Sequence, residues 1–438
     1  MPIAYTPELS AVLKVLEESR DTILLTGKAG TGKSTLLREF RERTRKNLIV
    51  LAPTGVAALN VSGETIHSFF SLAPNAIPAD IEHRPLSYPK QQLIRKLDAI
   101  IIDEISMVRA DLLDLIDLRL RLTLKRDKPF GGLQLIMIGD LYQLPPVLTN
   151  SEKTEFLTRY SSPYFFASQV IRALDIHYIE LTKVYRQQDA EFVSILNSIR
   201  TNTVTEADLQ LINSRYDEDV ESALDSFTIY LATTNKIVQQ VNNYKLEELS
   251  SRTRVYPSAT TGQFPPNTKP VGENLELKVG SQVMFLNNEK DPETDSYRWV
   301  NGTLGKITDI AEASKAGTPD VLVVELANGK LVEVLPYTWK LEKHNFDPSL
   351  NKVIKHTVGT YTQYPVQLAW AVTIHKAQGK TFSKLIIDLG YSAFDFGQVY
   401  VALSRATTLE GITLRRPITL ADIKVDKLVG QFLAHFHS

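Results

Sequence analysis

Gly27-Lys28-Ala29-Gly30-Thr31-Gly32-Lys33-Ser34-Thr35 fits G-x-x-x-x-G-K-[ST], the phosphate-binding P-loop. Thr22–Thr26 ahead of it is a short apolar run that reads as a strand. Ser34 to Arg45 behind it reads as a helix, with Leu36, Leu37 and Phe40 at helical spacing. In that context the glycine-rich backbone presents N–H groups to phosphate oxygens. Lys33 adds a point charge near the β/γ-phosphates, and Ser34 offers a hydroxyl to Mg²⁺. Gly27, Ala29, Gly30, Thr31, Gly32, Lys33, Ser34 and Thr35 form the expected nucleotide-binding set. A dinucleotide fingerprint starting at Gly30 fails, because Thr35 stands where it needs glycine.

Working outward, Asn47–Ala52 is a continuous apolar run, as suits a strand buried on both faces of a parallel sheet. Thr54 and Gly55 follow it, so they belong on the same rim as the P-loop. The next loop, Gly63–Phe70, mixes hydroxyls, His67 and aromatics, as single-stranded nucleic-acid sites do. Residues 72–96 contain Pro74, Pro78, Pro85 and Pro89, which predicts a small insertion projecting from the sheet without a long regular element. The strand 97–102 ends in Asp103-Glu104, the acidic pair a P-loop requires. Asp103 is placed to hold Mg²⁺ and Glu104 to orient the attacking water. The basic run Arg119, Arg121, Lys125, Arg126 and Lys128 reads as a solvated face. Gln143 follows the strand 133–138, where its amide can sense the γ-phosphate, beside the stiff turn Pro145-Pro146.

A second set of apolar strands begins near Ile176 and Thr228 with no second P-loop. From 275 to 355, short alternating segments with Asn301-Gly302 and Asn328-Gly329 turns predict an inserted small antiparallel β-barrel.

Composition narrows the class. The 438 residues include no cysteine, so disulfides and thiolate metal sites are absent. Formal net charge is −1, so any nucleic-acid contact needs local positive charge. No apolar run is long enough to span a membrane. Met1–Ser10 carries no leader pattern, which sets the expectation of a cytoplasmic protein, nucleoid-associated if the source is bacterial.

Eight ordered blocks then resemble one family, the petite-integration-frequency (PIF) DNA helicases of helicase superfamily one. They are GKAGTGKST (27–35), APTGVAALNVSGETIHSFF (52–70), IIIDEISM (100–107) and GDLYQLPPV (139–147). LTKVYRQ (181–187), LNSIR (196–200), PVQLAWAVTIHKAQGKTF (365–382) and GQVYVALSRAT (397–407) complete them. The resemblance implies an α/β fold with two RecA-like domains and ATP in the cleft between them. On that basis 1–181 is the first domain, with a strand-separating wedge at 72–96. Residues 182–274 and 356–438 form the second, and 275–355 the barrel. Lys33, Asp103, Glu104 and Gln143 are then catalytic from the first domain, with Arg186 and Arg405 as arginines serving the γ-phosphate from the second. Gly379 and Lys380 line the same cleft. DNA contacts fall on Thr54, Gly55, Asn60, Thr65, His67, Phe69, Pro146, His375 and Lys376.

The implied activity is ATP- and Mg²⁺-dependent 5′-to-3′ unwinding, in repair, recombination and telomere maintenance. Its partners are single-stranded DNA, forks and G-quadruplex DNA, with no membrane and no obligate protein partner. The chain reads as a minimal motor without long terminal extensions. One position departs from the pattern: relatives carry an adenine-reading glutamine ahead of the P-loop strand, and Pro7–Ala11 contains none. That opens the site to other triphosphates. Two other readings fit part of the pattern: a RecD-like helicase subunit, and a nucleotide-gated switch that hydrolyses slowly.

Overall fold

Strands β1 (Thr22–Gly27), β2 (Leu48–Ala52), β3 (Glu64–Thr65), β4 (Ala99–Ile102), β5 (Gln134–Ile138) and β6 (Ile176–Leu181) form one all-parallel sheet in the computed structural model. Their order is β3-β2-β4-β5-β1-β6. The structure describes residues 7–73, 76–187, 189–220, 227–291, 297–313, 315, 317–347 and 352–436. Pro74, expected in the insertion, lies outside them. Alternation along each strand explains the unbroken apolar runs. Leu24, Ile49, Leu51, Ile100, Ile102 and Met137 enter one core, while Ile23, Leu25, Val50, Ile101 and Ile136 enter the core on the other face. Helices α1 (Pro7–Glu18) and α2 (Lys33–Arg43) cover the second face. Helices α3 (Gly55–Asn60) and α4 (Ile66–Phe70) leave the ends of β2 and β3.

The proline-rich insertion does not project as a loop. It forms α5 (Pro78–His83) and α6 (Tyr88–Arg95), which pack on α7 (Ala110–Leu124). Ile81, Leu86, Leu93 and Ile94 are buried with the main core. Arg119, expected in solvent, is 4% exposed, and its Nη1 donates to the carbonyls of Ile81 and Arg84 at 3.2 and 2.6 Å. Proline spacing ruled out a long helix here, and two short ones buried enough apolar surface to dock.

Helices α8 (Asn150–Arg159) and α9 (Gln169–Arg172) precede β6. After α10 (Ala190–Thr201) and α11 (Glu206–Asn213) a second parallel sheet starts at β7 (Ile229–Ala232), followed by α12 (Asn235–Glu248). With β8 (Ala371–Thr373), β9 (Leu385–Asp388) and β10 (Ile412–Leu414) it has the order β8-β7-β9-β10. Helix α13 (Gln398–Leu403) follows β9, and α14 (Lys427–Ala434) ends the regular structure.

The segments at 282–285, 304–311, 321–326 and 331–334 pair antiparallel, as expected. Among the described residues they belong to a five-stranded sheet accompanied by smaller antiparallel sheets, and no closed barrel forms. Asn328-Gly329 closes a hairpin there. Asn301-Gly302 instead joins strands that pair with different partners.

The chain divides into two compact units. Met1–Tyr185, Glu342–Thr357 and Asp426–Ser438 make the first, and Arg186–Leu341 with Val358–Val425 the second. The C-terminal residues therefore join the first unit, not the second. The cause is aromatic: Phe432 stacks on Phe166 at 4.5 Å, Phe436 stacks on Tyr178 at 4.8 Å, and Val429 and Leu433 are buried in the main core.

Candidate active site and nucleic-acid interface

In the first unit every strand of the parallel sheet ends on the same rim, and the predicted nucleotide residues gather there. Gly30 and Gly32 take left-handed backbone, with φ of 82° and 87°. A Cβ on Gly27 would meet Thr31 Oγ1 at 2.7 Å and the Leu181 carbonyl at 2.8 Å, so a side chain has no room at that glycine. Lys33 Nζ donates to the carbonyls of Gly27 and Lys28 at 2.6 and 3.0 Å. Ser34 is exposed in the first turn of α2. The Thr31 side chain is buried and its hydroxyl donates to Lys28 O at 2.9 Å, so it braces the loop.

Asp103 is 7% exposed at the end of β4. Burial pushes its carboxyl up to about 6, against a hydrogen bond from the Glu104 amide and the charge of Lys33. Glu104 sits in left-handed backbone at φ 52°, an unusual conformation for a glutamate. Gln143 is buried, and its Nε2 donates to Asp140 Oδ2 at 3.3 Å. The residues fit a divalent cation held by one carboxylate and one hydroxyl, with phosphate and water as remaining ligands. Among the described residues no cluster of three or more His, Asp or Glu exists to hold a metal by protein alone.

Tyr185 was not anticipated. Its amide donates to Gly30 O at 2.9 Å, and its ring lies against Gly32 while remaining 41% exposed. The signal was its place directly before Arg186.

On the same rim, Thr54 and Thr65 cap α3 and α4, accepting from the amides of Ala57 and Ser68 at 3.2 and 3.3 Å. Asn60 is exposed, and Gly55 and His67 are partly so. Burial lowers the His67 imidazole, with Asp111 opposing and Arg109 assisting. Phe69 is not presented. It is fully buried, edge-on to Phe70 at 4.9 Å, with Lys90 Nζ 4.0 Å from its ring centroid. Pro146 is also buried, and Val147 beside it is exposed. Both were placed by position in a motif, and local packing turned them inward.

In the second unit the predicted residues converge on one turn. Arg186 donates to Ser404 O at 3.2 Å and to Gly379 O at 3.3 Å. Arg405, 1% exposed, donates to Val401 O at 2.9 Å, Lys380 O at 3.3 Å and Ser404 Oγ at 2.7 Å. Gln187, also unanticipated, fixes Ser404 O and Ala406 O with its amide at 3.2 and 3.0 Å. Gly379 is exposed, with φ 79°. Lys380 is committed elsewhere: its amine donates to Asn301 Oδ1 at 2.6 Å, and burial brings it down to about 8. His375 is partly buried, which lowers its imidazole against the pull of Asp395, and Lys376 is exposed.

A family model described as PIF1-like helicase matches residues 9–209. The ATP-dependent DNA helicase Pif1 of Bdellovibrio bacteriovorus is 32% identical over 420 residues, covering 94% of this chain and 88% of that protein. The crystal structure of Bacteroides sp Pif1 in complex with ADP-AlF4 superposes with a TM-score of 0.89 at 36% identity, covering 99% of this chain and 97% of that one. A Bacteroides Pif1 structure with ADP-AlF3 and ssDNA gives 0.71 at 37% identity, covering 99% of this chain and 98% of that one. A P-loop, an acidic pair and two carbonyl-held arginines, carried on sheets that match whole Pif1 chains, place this protein in the PIF1-like helicase family.

Proposed function

We infer that the chain is an ATP-dependent DNA helicase that moves 5′ to 3′ on single-stranded DNA. One observation carries this reading: a single rim of the first sheet holds both the P-loop with Asp103 and the Thr54, Thr65 and His67 loops. Nucleotide chemistry and DNA contact are thus borne by strands of one rigid sheet, so a change at one is felt at the other.

Lys33 exchanges its carbonyl partners for phosphate oxygens, which bind an ammonium more strongly. Ser34 and Asp103 would hold Mg²⁺, which would supply charge neutralisation at the triphosphate. Glu104 orients the water, its left-handed backbone setting the carboxylate's direction. Gln143 senses the γ-phosphate. Arg186 and Arg405, oriented by hydrogen bonds to backbone carbonyls, serve the phosphoryl group in the transition state. Tyr185 offers a face on which a base stacks without regard to its identity, which suits a chain lacking the adenine-reading glutamine.

Thr54, Gly55, Asn60, Thr65 and His67 grip DNA from the first unit, and His375 with Lys376 from the second. The insertion at 72–96 acts as the strand-separating wedge. Bacteroides Pif1 has been solved bound to ssDNA, and a related structure concerns unwinding at forked dsDNA. Forks, and G-quadruplex DNA as a harder substrate, are the targets on this reading, and the nucleoid is its place if the source is bacterial. The test is paired forks with only a 5′ or only a 3′ tail, given ATP and Mg²⁺. Unwinding confined to the 5′-tailed fork supports the reading, and unwinding only from the 3′ tail sinks the polarity.

A further inference from the structure

Between β9 and α13 runs Gly390-Tyr391-Ser392-Ala393-Phe394-Asp395-Phe396-Gly397. Tyr391 is fully exposed, Phe394 is 56% exposed and Phe396 41%. The backbone beneath them is fixed. Gly390 N donates to Asp388 Oδ1 at 2.8 Å, Ala393 N to Asp422 Oδ1 at 3.0 Å, Phe394 N to Gln398 Oε1 at 3.0 Å, and Gly397 N to Lys424 O at 2.9 Å. Arg416 locks the arrangement by donating to Gly390 O at 2.6 Å and to both carboxylate oxygens of Asp422. The ordering cost of this loop is met by its own hydrogen bonds, yet three large rings within six residues stay in water. Solvated apolar side chains gathered on a rigid support mark a binding surface.

Position says what binds. The loop leaves the carboxyl end of β9, the rim that also carries Thr233 after β7 and His375-Lys376 after β8. A Cβ on Gly390 would lie 3.9 Å from Thr233 Oγ1, so the two loops adjoin. Asp395 is near enough to His375 to act on its charge, and Lys424 acts on Asp395 in turn. Lys376 is exposed on this rim. Aromatic faces beside cations and a histidine match a strand with bases on one side and phosphates on the other. We propose that Tyr391, Phe394 and Phe396 form a stacking platform for the unpaired bases of single-stranded DNA whose phosphates meet His375 and Lys376. The proposal rests on the helicase reading and adds to it a base-contacting site that none of the eight motif blocks contributes.

The test compares a deoxythymidine oligonucleotide with an abasic oligonucleotide of equal length, by fluorescence anisotropy at several salt concentrations. A Tyr391→Ala/Phe394→Ala/Phe396→Ala variant is expected to bind the thymidine strand about tenfold more weakly than wild type, the effect of losing one stacked base. It binds the abasic strand as wild type does, with an unchanged salt slope. Tyr391→Ala alone, at a fully exposed position, gives a smaller loss in the same sense and carries the test if the triple variant melts early. Tyr391→Trp keeps full affinity. Equal thymidine affinity in wild type and variants overturns the platform, as does an equal loss on both strands. Wild type that binds neither strand overturns the helicase reading itself, which separates the two failures.

Discussion

The ammonium of Lys33 donates to the carbonyl oxygen of Gly27 at 2.6 Å, closing the nucleotide loop on its own lysine. On the proposed function triphosphate oxygens take the place of that carbonyl, so Lys33 would serve the loop in one state and the ligand in the other. Lys33→Ala removes both services. Hydrolysis is expected to fall by about 10²–10³-fold, and a 5′-tailed fork stays paired in gel-based unwinding with ATP and Mg²⁺. A variant that still unwinds would show the loop is not the motor site.

Arg186 and Arg405 separate chemistry from stability. Arg186 makes two long bonds to carbonyls, at 3.2 and 3.3 Å, and Arg405 is buried with several acceptors around it. Both alanine variants are expected to lose about 10³-fold or more in kcat. Only Arg405→Ala also lowers the melting temperature, because it orphans buried acceptors at about 1–3 kcal/mol each. Equal melting temperatures for the two would contradict this division.

Tyr185 predicts a nucleotide preference, or its lack. Tyr185→Ala is expected to raise KM by about tenfold for ATP and GTP alike, while Tyr185→Phe stays near wild type. A rise for ATP alone would place an adenine reader at that ring.

The raised carboxyl of Asp103 gives a pH dependence with a definite sign. Below about 6 the group holds a proton and cannot hold a cation. Mg·ADP affinity is therefore expected to weaken as pH falls through 6, with proton release on binding, and calorimetric titration reads both. In the nucleotide-free protein the same shift costs stability as pH rises from the ordinary carboxylate range through 6, because the folded chain keeps a proton the unfolded chain has lost. Asp103→Asn should flatten both trends.

Phe69 offers a stability test of its burial. Fully enclosed beneath Lys90 and against Phe70, it should cost about 3–5 kcal/mol when truncated to alanine, read from urea unfolding. A solvent-facing ring would leave the unfolding midpoint where it was.

How much was legible follows from the range of each signal. The strand–loop–helix around Gly27–Thr35 is local, and glycine geometry enforces it, so sequence read it well. The all-apolar strands announced a parallel sheet because both faces are covered. His67 and Phe69 lie two residues apart on α4, and whether one faces solvent and the other the core depends on α6, which arrives from an insertion. Lys380 sits in a motif, yet its amine is claimed by Asn301, 79 residues away in sequence. Arg119 looked like one more surface cation until the carbonyl ends of α5 needed a donor. Such long-range claims on a side chain leave no periodic trace.

The return of α14 to the first unit has a practical reach. From Asp426 onward the described chain belongs to the unit that carries the P-loop, and the chain passes between the two units four times. Cutting the chain after Val425 would strip Phe432 and Phe436 from Phe165, Phe166 and Tyr178, exposing an aromatic patch on the unit that carries the P-loop. A probe attached to α14 therefore reports on the unit that carries the P-loop, although Arg405 and the loop at 390–397, much nearer to it in sequence, belong to the other unit.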